Sequence, residues 1–246
     1  MAISAVQAVS FTADASSANV SVNPTAANAL IVGGSCYTGA LAGSAFTVTR
    51  TGDTYTTDTE GGTTSGINRN YTGIASAPNV AGGAATLSCT AVNASAVDGW
   101  AVEVSGLPTS SIRDATSPAV AIGAGTTTTA NSLTNVTADA IFFNQIANDT
   151  SANPATLTEP GTYTTVVGGT TMKRTNGAAD QVCALGFRIV SATGAETPAW
   201  TTTTGNWSSG IAVYKAAAGG ATIPPGLGPV VGEQLSTSSA LAAMMR

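Results

Sequence analysis

The stretch "GDTYTTDTE" places three carboxylates, Asp53, Asp58 and Glu60, within one short run. Two carboxyl groups facing each other across a glycosidic bond can serve as general acid and base, or as acid and nucleophile. The same groups could offer oxygens to a hard cation such as calcium. Both chemistries ask for more than the stretch holds. A glycosidase site also wants aromatic platforms, and Tyr55 is the only aromatic nearby. The spacing of the three acids is not that of an EF-hand loop. A solvated turn is therefore expected, with no metal and no cofactor.

Composition removes most other chemistries. The chain has no histidine, which excludes Ser-His-Asp and Cys-His hydrolases, histidine zinc sites and the usual acid or base near neutral pH. Cys36, Cys89 and Cys183 are far apart, odd in number and without a CxxC pair, so neither a disulfide framework nor a thiolate zinc site is expected. Each sits in an apolar strand pattern and reads as a small buried hydrophobe. "VGGSCYTGALAGS" is glycine-rich but lacks GxxxxGK[ST] and a strand-then-helix context. The chain is not expected to be an enzyme.

Three tryptophans remain as candidates for stacking on sugars. Trp100 lies in "DGWAVEV", where alternation sends it to the same side as Val102 and Val104, a core position. Trp200 and Trp207 flank "TTTTGN", which reads as a turn. They are thus expected to be exposed at one end of the body, as the candidate ligand edge. Asn-x-Ser/Thr sequons stand at Asn19, Asn70, Asn93, Asn135, Asn148 and Asn206, several of them expected by chance in so Ser/Thr-rich a chain.

The elements that must position these residues are nearly all strands. "ISAVQAVSF", "ANVSVNP" and "AFTVTRTG" alternate, whereas "ANALIVGGSCY" is a short apolar run of the kind buried on both faces. Turn signals such as Thr51-Gly52-Asp53, Ala81-Gly82-Gly83 and Asn176-Gly177 separate about a dozen candidate strands. Threonine, favoured on half-exposed sheets, fills many of them. The pattern predicts an all-β fold, a two-sheet antiparallel β-sandwich over residues 1–218.

Only 9% of the 246 residues are charged, and the net charge is −5. A surface clothed in Ser, Thr, Asn, Gly and Ala loses little on leaving water, because hydroxyls and amides are far cheaper to desolvate than ions. The eight basic residues are scattered, Lys173-Arg174 being the one adjacent pair. Nucleic-acid binding, which needs clustered basic groups, is not expected. No apolar run reaches the roughly 18 residues of a membrane span, and the start lacks the basic region of a signal peptide. A soluble protein made in the cytoplasm, with no membrane partner, is the expectation.

Residues 219–246, "GGATIPPGLGPVVGEQLSTSSALAAMMR", form a second region. Solvated tails are normally charged and poor in aliphatic groups. This one carries Ile223, Leu227, Val230, Val231, Leu235 and Leu241, with only Glu233 and Arg246 charged. Pro224, Pro225 and Pro229 favour an extended path, able to cross on the order of 40 Å. Ser236 to Ser239 precede "ALAAMMR", where Leu241, Met244 and Met245 would share one face of a short helix. The region reads as an extended Pro/Gly-rich tail that binds a partner.

The succession "ANALIVGGSCY", "TGDTYT", "YTGIASAPNVAGGAATLSCT", "GWAVEVSGL", "ADAIFFNQIAN" and "WSSGIAVYKAA" resembles a jelly-roll β-sandwich group common among bacteriophage virion proteins and phage-derived bacterial genes. The likeness spans about Ala27 to Ala217. It implies a structural role in a virion rather than a chemistry, since the fold hosts many functions. Its most concrete form is a capsid decoration or cement protein on the capsid surface. Such a protein binds the major capsid protein and copies of itself, and the resemblance implies a trimer at three-fold positions. The alternative is a receptor-binding or fibre adhesin recognising host glycans through Trp200 and Trp207.

Overall fold

The computed structural model of the chain describes residues 2–38, 45–62, 70–114, 119–130, 132–149, 157–158, 172–176 and 181–218. The expected tail region, 219–246, lies outside these residues, and with it the partner-binding candidates Ile223, Leu227, Val230, Val231, Leu235, Leu241, Met244 and Met245. Among the described residues there is no helix, so the expected all-β class holds.

In chain order the strands are β1 (Ser4–Ala13), β2 (Ser17–Val22), β3 (Ala29–Thr38), β4 (Phe46–Arg50), β5 (Thr56–Gly62), β6 (Asn70–Ala77), β7 (Ala85–Ala91) and β8 (Ala94–Ser105). They continue with β9 (Ala119–Thr129), β10 (Leu133–Asn135), β11 (Ala140–Asp149), β12 (Leu157–Thr158), β13 (Met172–Asn176), β14 (Gln181–Val190), β15 (Gly194–Glu196) and β16 (Ala199–Lys215). All pairings are antiparallel. One sheet has the order β1-β8-β3-β6-β5, and a small one runs β2-β7-β4. A third is β12-β16-β11-β14-β13 with β9 on the free side of β16, and β10 pairs β15 in a ribbon.

Where two sheets were expected, three are stacked. The five-stranded sheet is the middle layer because β3, at its centre, is apolar on both faces. Its odd-numbered residues Ala29 and Ile31 pack with Ile74, Val102, Phe143, Leu185 and Tyr214 against the six-stranded sheet. The even-numbered Leu30, Val32 and Cys36 pack with Phe46, Val48, Leu87 and Cys89 against the three-stranded sheet. Side chains alternate across a strand, so a continuous apolar run supplies two cores at once. Gly34 is part of this design. A Cβ there would come within 2.3 Å of the Phe46 ring, and one at Gly73 within 2.6 Å, so the two glycines form the seat of that ring.

The predicted core residues are where they were expected. Trp100 is buried among Val102 and Val104, and Cys36, Cys89 and Cys183 are buried. Burial, and secondarily the Glu60 charge, pushes the Cys36 thiol up to about 12.

Candidate functional site

The two tryptophans expected at an exposed edge are instead inside. Trp200 is fully buried among Ile146, Leu157, Val182 and Ala184, and its Nε1 donates to Asn144 Oδ1 at 2.6 Å. Trp207 is 8% exposed. Its ring lies so close to Gly123 that a Cβ there would approach within 2.4 Å. The correction has a local cause. "TTTTGN" is not a turn; both tryptophans belong to β16, and a register shift between Thr201 and Gly205 lets one strand keep its pairing with β9 along most of its length. Extra residues absorbed in a bulge leave a continuous strand where composition suggested a break. The expected ligand edge is therefore absent from Trp200 and Trp207.

The three acids of "GDTYTTDTE" are also separated. Asp53 accepts from Arg50 Nη1 at 2.6 Å and from the Ala81 amide at 2.8 Å. Glu60 accepts from the Phe46 amide at 2.8 Å. Asp58 lies in a bulge of β5 and reaches the other core, where Tyr214 donates to it at 2.6 Å and Arg113 Nε stands 3.4 Å away. Burial raises the Asp58 pKa above its usual value, partly offset by the Ser76 and Tyr214 hydroxyls and Arg113. The expected solvated loop is thus a tight turn followed by a strand, with the Asp53 and Asp58 side chains turned inward and Glu60 left exposed. Among the described residues no group of three His, Cys, Asp or Glu is placed to hold a metal ion.

Four further carboxylates repeat this use, while Asp14 and Asp139 are exposed. Glu103, 1% exposed, accepts from Gln7 Nε2 and Asn28 Nδ2, both at 2.5 Å, and from the Thr25 amide at 3.0 Å. Burial alone would raise its pKa, but these donors outweigh it and hold the carboxyl below the ordinary glutamate range. Asp98, 1% exposed, accepts from the Thr12 hydroxyl. Asp114 accepts from the amides of Val136 and Thr137 at 2.8 and 3.0 Å. Arg188 donates to both oxygens of Glu196 at 2.6 and 2.7 Å. Arg50 also donates to the carbonyls of Ala81 and Gly83, at 2.9 and 2.7 Å, locking "NVAGG" onto "TGDTY". Each ionic group ties a loop or a strand end to the body, where charge-assisted bonds to backbone are strongest.

The outer face of the three-stranded sheet is uncharged. On the three-stranded sheet, Ser17, Thr90 and Thr47 form one row across β2, β7 and β4, and Asn19, Ser88 and Thr49 form the next. Ser21 and Thr86 continue the pattern. At the far end of the body, the exposed Ile189 meets Ile3, Ala2, Val190, Ser191 and Asp139 in an open cleft of about 420 Å³. The run "GFRIV" gave no hint of this cleft, because Ile189 continues an inward-facing alternation past the last residue that covers it. A neutral hydroxyl face and an open cleft with one carboxylate offer contact area, not a paired acid and base.

Comparison of the chain with protein-family models, with curated proteins and with solved structures gives no match.

Proposed function

We propose that the chain is a structural protein of a bacteriophage virion, a capsid decoration or cement protein that binds across major capsid subunits and stabilises the shell. The observation that carries this reading is the disposal of charge. Arg50, Asp53, Asp58, Asp98, Glu103 and Asp114 serve inside the body. The three-stranded sheet presents to solvent an uncharged lattice of Ser, Thr and Asn. Such a skin is cheap to bury against several neighbours. The aliphatic segment after Ala218, with only Glu233 and Arg246 charged, adds a tethered second contact, which gains from high effective concentration. The motif order from Ala27 to Ala217 supports assigning the body to the jelly-roll sandwich group, with copies of itself and the major capsid protein as partners on the capsid surface. The adhesin alternative rested on Trp200 and Trp207, and their burial removes its support.

Deletion of residues 219–246 tests the reading. The shortened protein is expected to stay folded and soluble, with its circular-dichroism spectrum unchanged, and to lose binding to capsids in a sedimentation assay. Full occupancy by the shortened protein would refute the strap.

A further inference from the structure

The cleft lined by Ile3 and Ile189 lies beside the point where the chain leaves the body. After β16 the chain runs on as Lys215 to Ala217, whose amides donate to the carbonyls of Ile112, Asp139 and Gly106 at 2.9, 2.8 and 2.7 Å. Asp139 is also a wall of the cleft. Gly106 abuts the other wall, since a Cβ on it would come within 2.3 Å of the Ala2 carbonyl oxygen and 3.0 Å of Ile3 Cα. The departing chain is thus pinned at the rim of a hollow, lined by the aliphatic Ile3, Ile189 and Val190 together with Ser191 and Asp139, that nothing described fills. Ile189 stands 45% exposed in it, an unusual waste of aliphatic surface beside a segment rich in aliphatic residues.

We infer that this cleft is the seat of the chain's own C-terminal segment, with Ile223 as the residue that enters it. Ile223 is the first aliphatic residue larger than alanine beyond the rim. Gly219 and Gly220 allow the reversal of direction that a return to the cleft requires. The whole stretch 219–232 carries no charge, and Asp139 is the one ionic group in the lining of the cleft. A hollow of about 420 Å³ takes more than one aliphatic side chain. The tether of Gly219 to Thr222 is short, so the effective concentration of Ile223 at its own cleft is in the millimolar range, above that of a neighbour's segment in dilute solution. Seating the root leaves Leu235 to Met245 as the part that reaches neighbours. The inference builds on the reading of this segment as a contact element, but it concerns the isolated protein, so its failure and the failure of capsid binding are separate results.

The test is a cross-link in the full-length chain. The three native thiols are 0–1% exposed, so a bismaleimide reports only on introduced pairs. Ile189→Cys with Ile223→Cys is expected to cross-link within one chain, at a rate independent of protein concentration and at least about tenfold faster than Ser88→Cys with Ile223→Cys, where Ser88 is on the opposite outer layer. Equal rates for the two pairs would overturn the inference. So would a product found only as dimers that grow with concentration, which would give the cleft to a neighbour's segment. As a second readout, Ile189→Asp is expected to speed cleavage at the Gly226–Leu227 bond by a protease that cuts before aliphatic residues, by about tenfold, because cleavage follows the released population. Unchanged cleavage would count against the seat as well.

Discussion

Replacing Arg50 by methionine is the sharpest test of the claim that this protein uses its charges as internal ties. The Arg50 and Asp53 side chains are 2% and 0% exposed and meet at 2.6 Å. Methionine keeps much of the packed stem and removes the guanidinium, leaving Asp53 with only the Ala81 amide and leaving two carbonyls without their donor. Breaking a buried pair from one side costs about 3–5 kcal/mol, most of it the uncompensated charge. For a chain of this size, roughly 2–4 °C of Tm accompanies each kcal/mol, so Tm should fall by about 6–20 °C. Asp53→Asn, which strands the guanidinium instead, should also be costly. The double variant removes both charges and leaves the unpaired carbonyls, about 1–3 kcal/mol. It should therefore be milder than the sum of the single changes by about 2 kcal/mol or more. Urea unfolding with linear extrapolation reads all four corners of the cycle, and an unchanged m-value confirms that the folded body is the same. A cost below about 1 kcal/mol for Arg50→Met, the range of exposed pairs, or simple additivity, would refute the reasoning.

Two further predictions concern the sites moved by the structure. Trp200→Ala should lower stability by about 3–5 kcal/mol as a core truncation, with the Asn144 carbonyl losing its indole donor, and calorimetry checks this; an effect within 0.5 kcal/mol would mean that the indole is at the surface after all. Stability against pH should carry two opposite contributions. The Asp58 pKa is raised in the folded state, so its contribution is greatest below the usual aspartate value and is lost as pH rises through the folded value. The Glu103 pKa is lowered, so its contribution is present above the usual glutamate value and is lost as pH falls. Urea midpoints taken from pH 3 to 7 should thus decline less toward neutral pH in Asp58→Asn, and decline less on acidification in Glu103→Gln; unchanged profiles would refute both assignments.

Strand content, the double burial of β3 and the core positions of Trp100 and the cysteines were legible because each rests on local alternation or on a single apolar run. The third layer was not. "ANVSVNP" and "AFTVTRTG" read as half-buried strands, but nothing local says that they pair with β7 on one face of the middle sheet rather than extend it. The misplacement of Trp200 and Trp207 has the same origin. A run of four threonines and a glycine has turn composition, yet a bulge in a long strand accommodates it when both neighbours keep their register. Asp53, Asp58 and Glu60 illustrate the limit for chemistry: proximity in sequence suggested a shared site, and the turn and strand geometry sent Asp53 to Arg50, Asp58 to Tyr214 and Glu60 to an exposed position on the Phe46 amide.

The inward use of charge also explains how so neutral an exterior can belong to a well-specified fold. Sheets covered in threonine and serine have weakly defined edges and registers, because hydroxyl rows tolerate a slip that an apolar face would forbid. Here the register of the outer layers is held by ties that a slip would break. Glu60 grips the Phe46 amide and Arg50 grips the Ala81 and Gly83 carbonyls, fixing β4 against the middle sheet. Glu103 holds the Thr25 amide at the passage from β2 to β3. Asp114 holds the turn that leads into β11. A buried ionic bond has one satisfactory geometry, whereas an exposed one has many. The same residues that make the fold unique therefore leave the outer face of the three-stranded sheet without ions, and that face is the one a shell of many neighbours can cover at least cost.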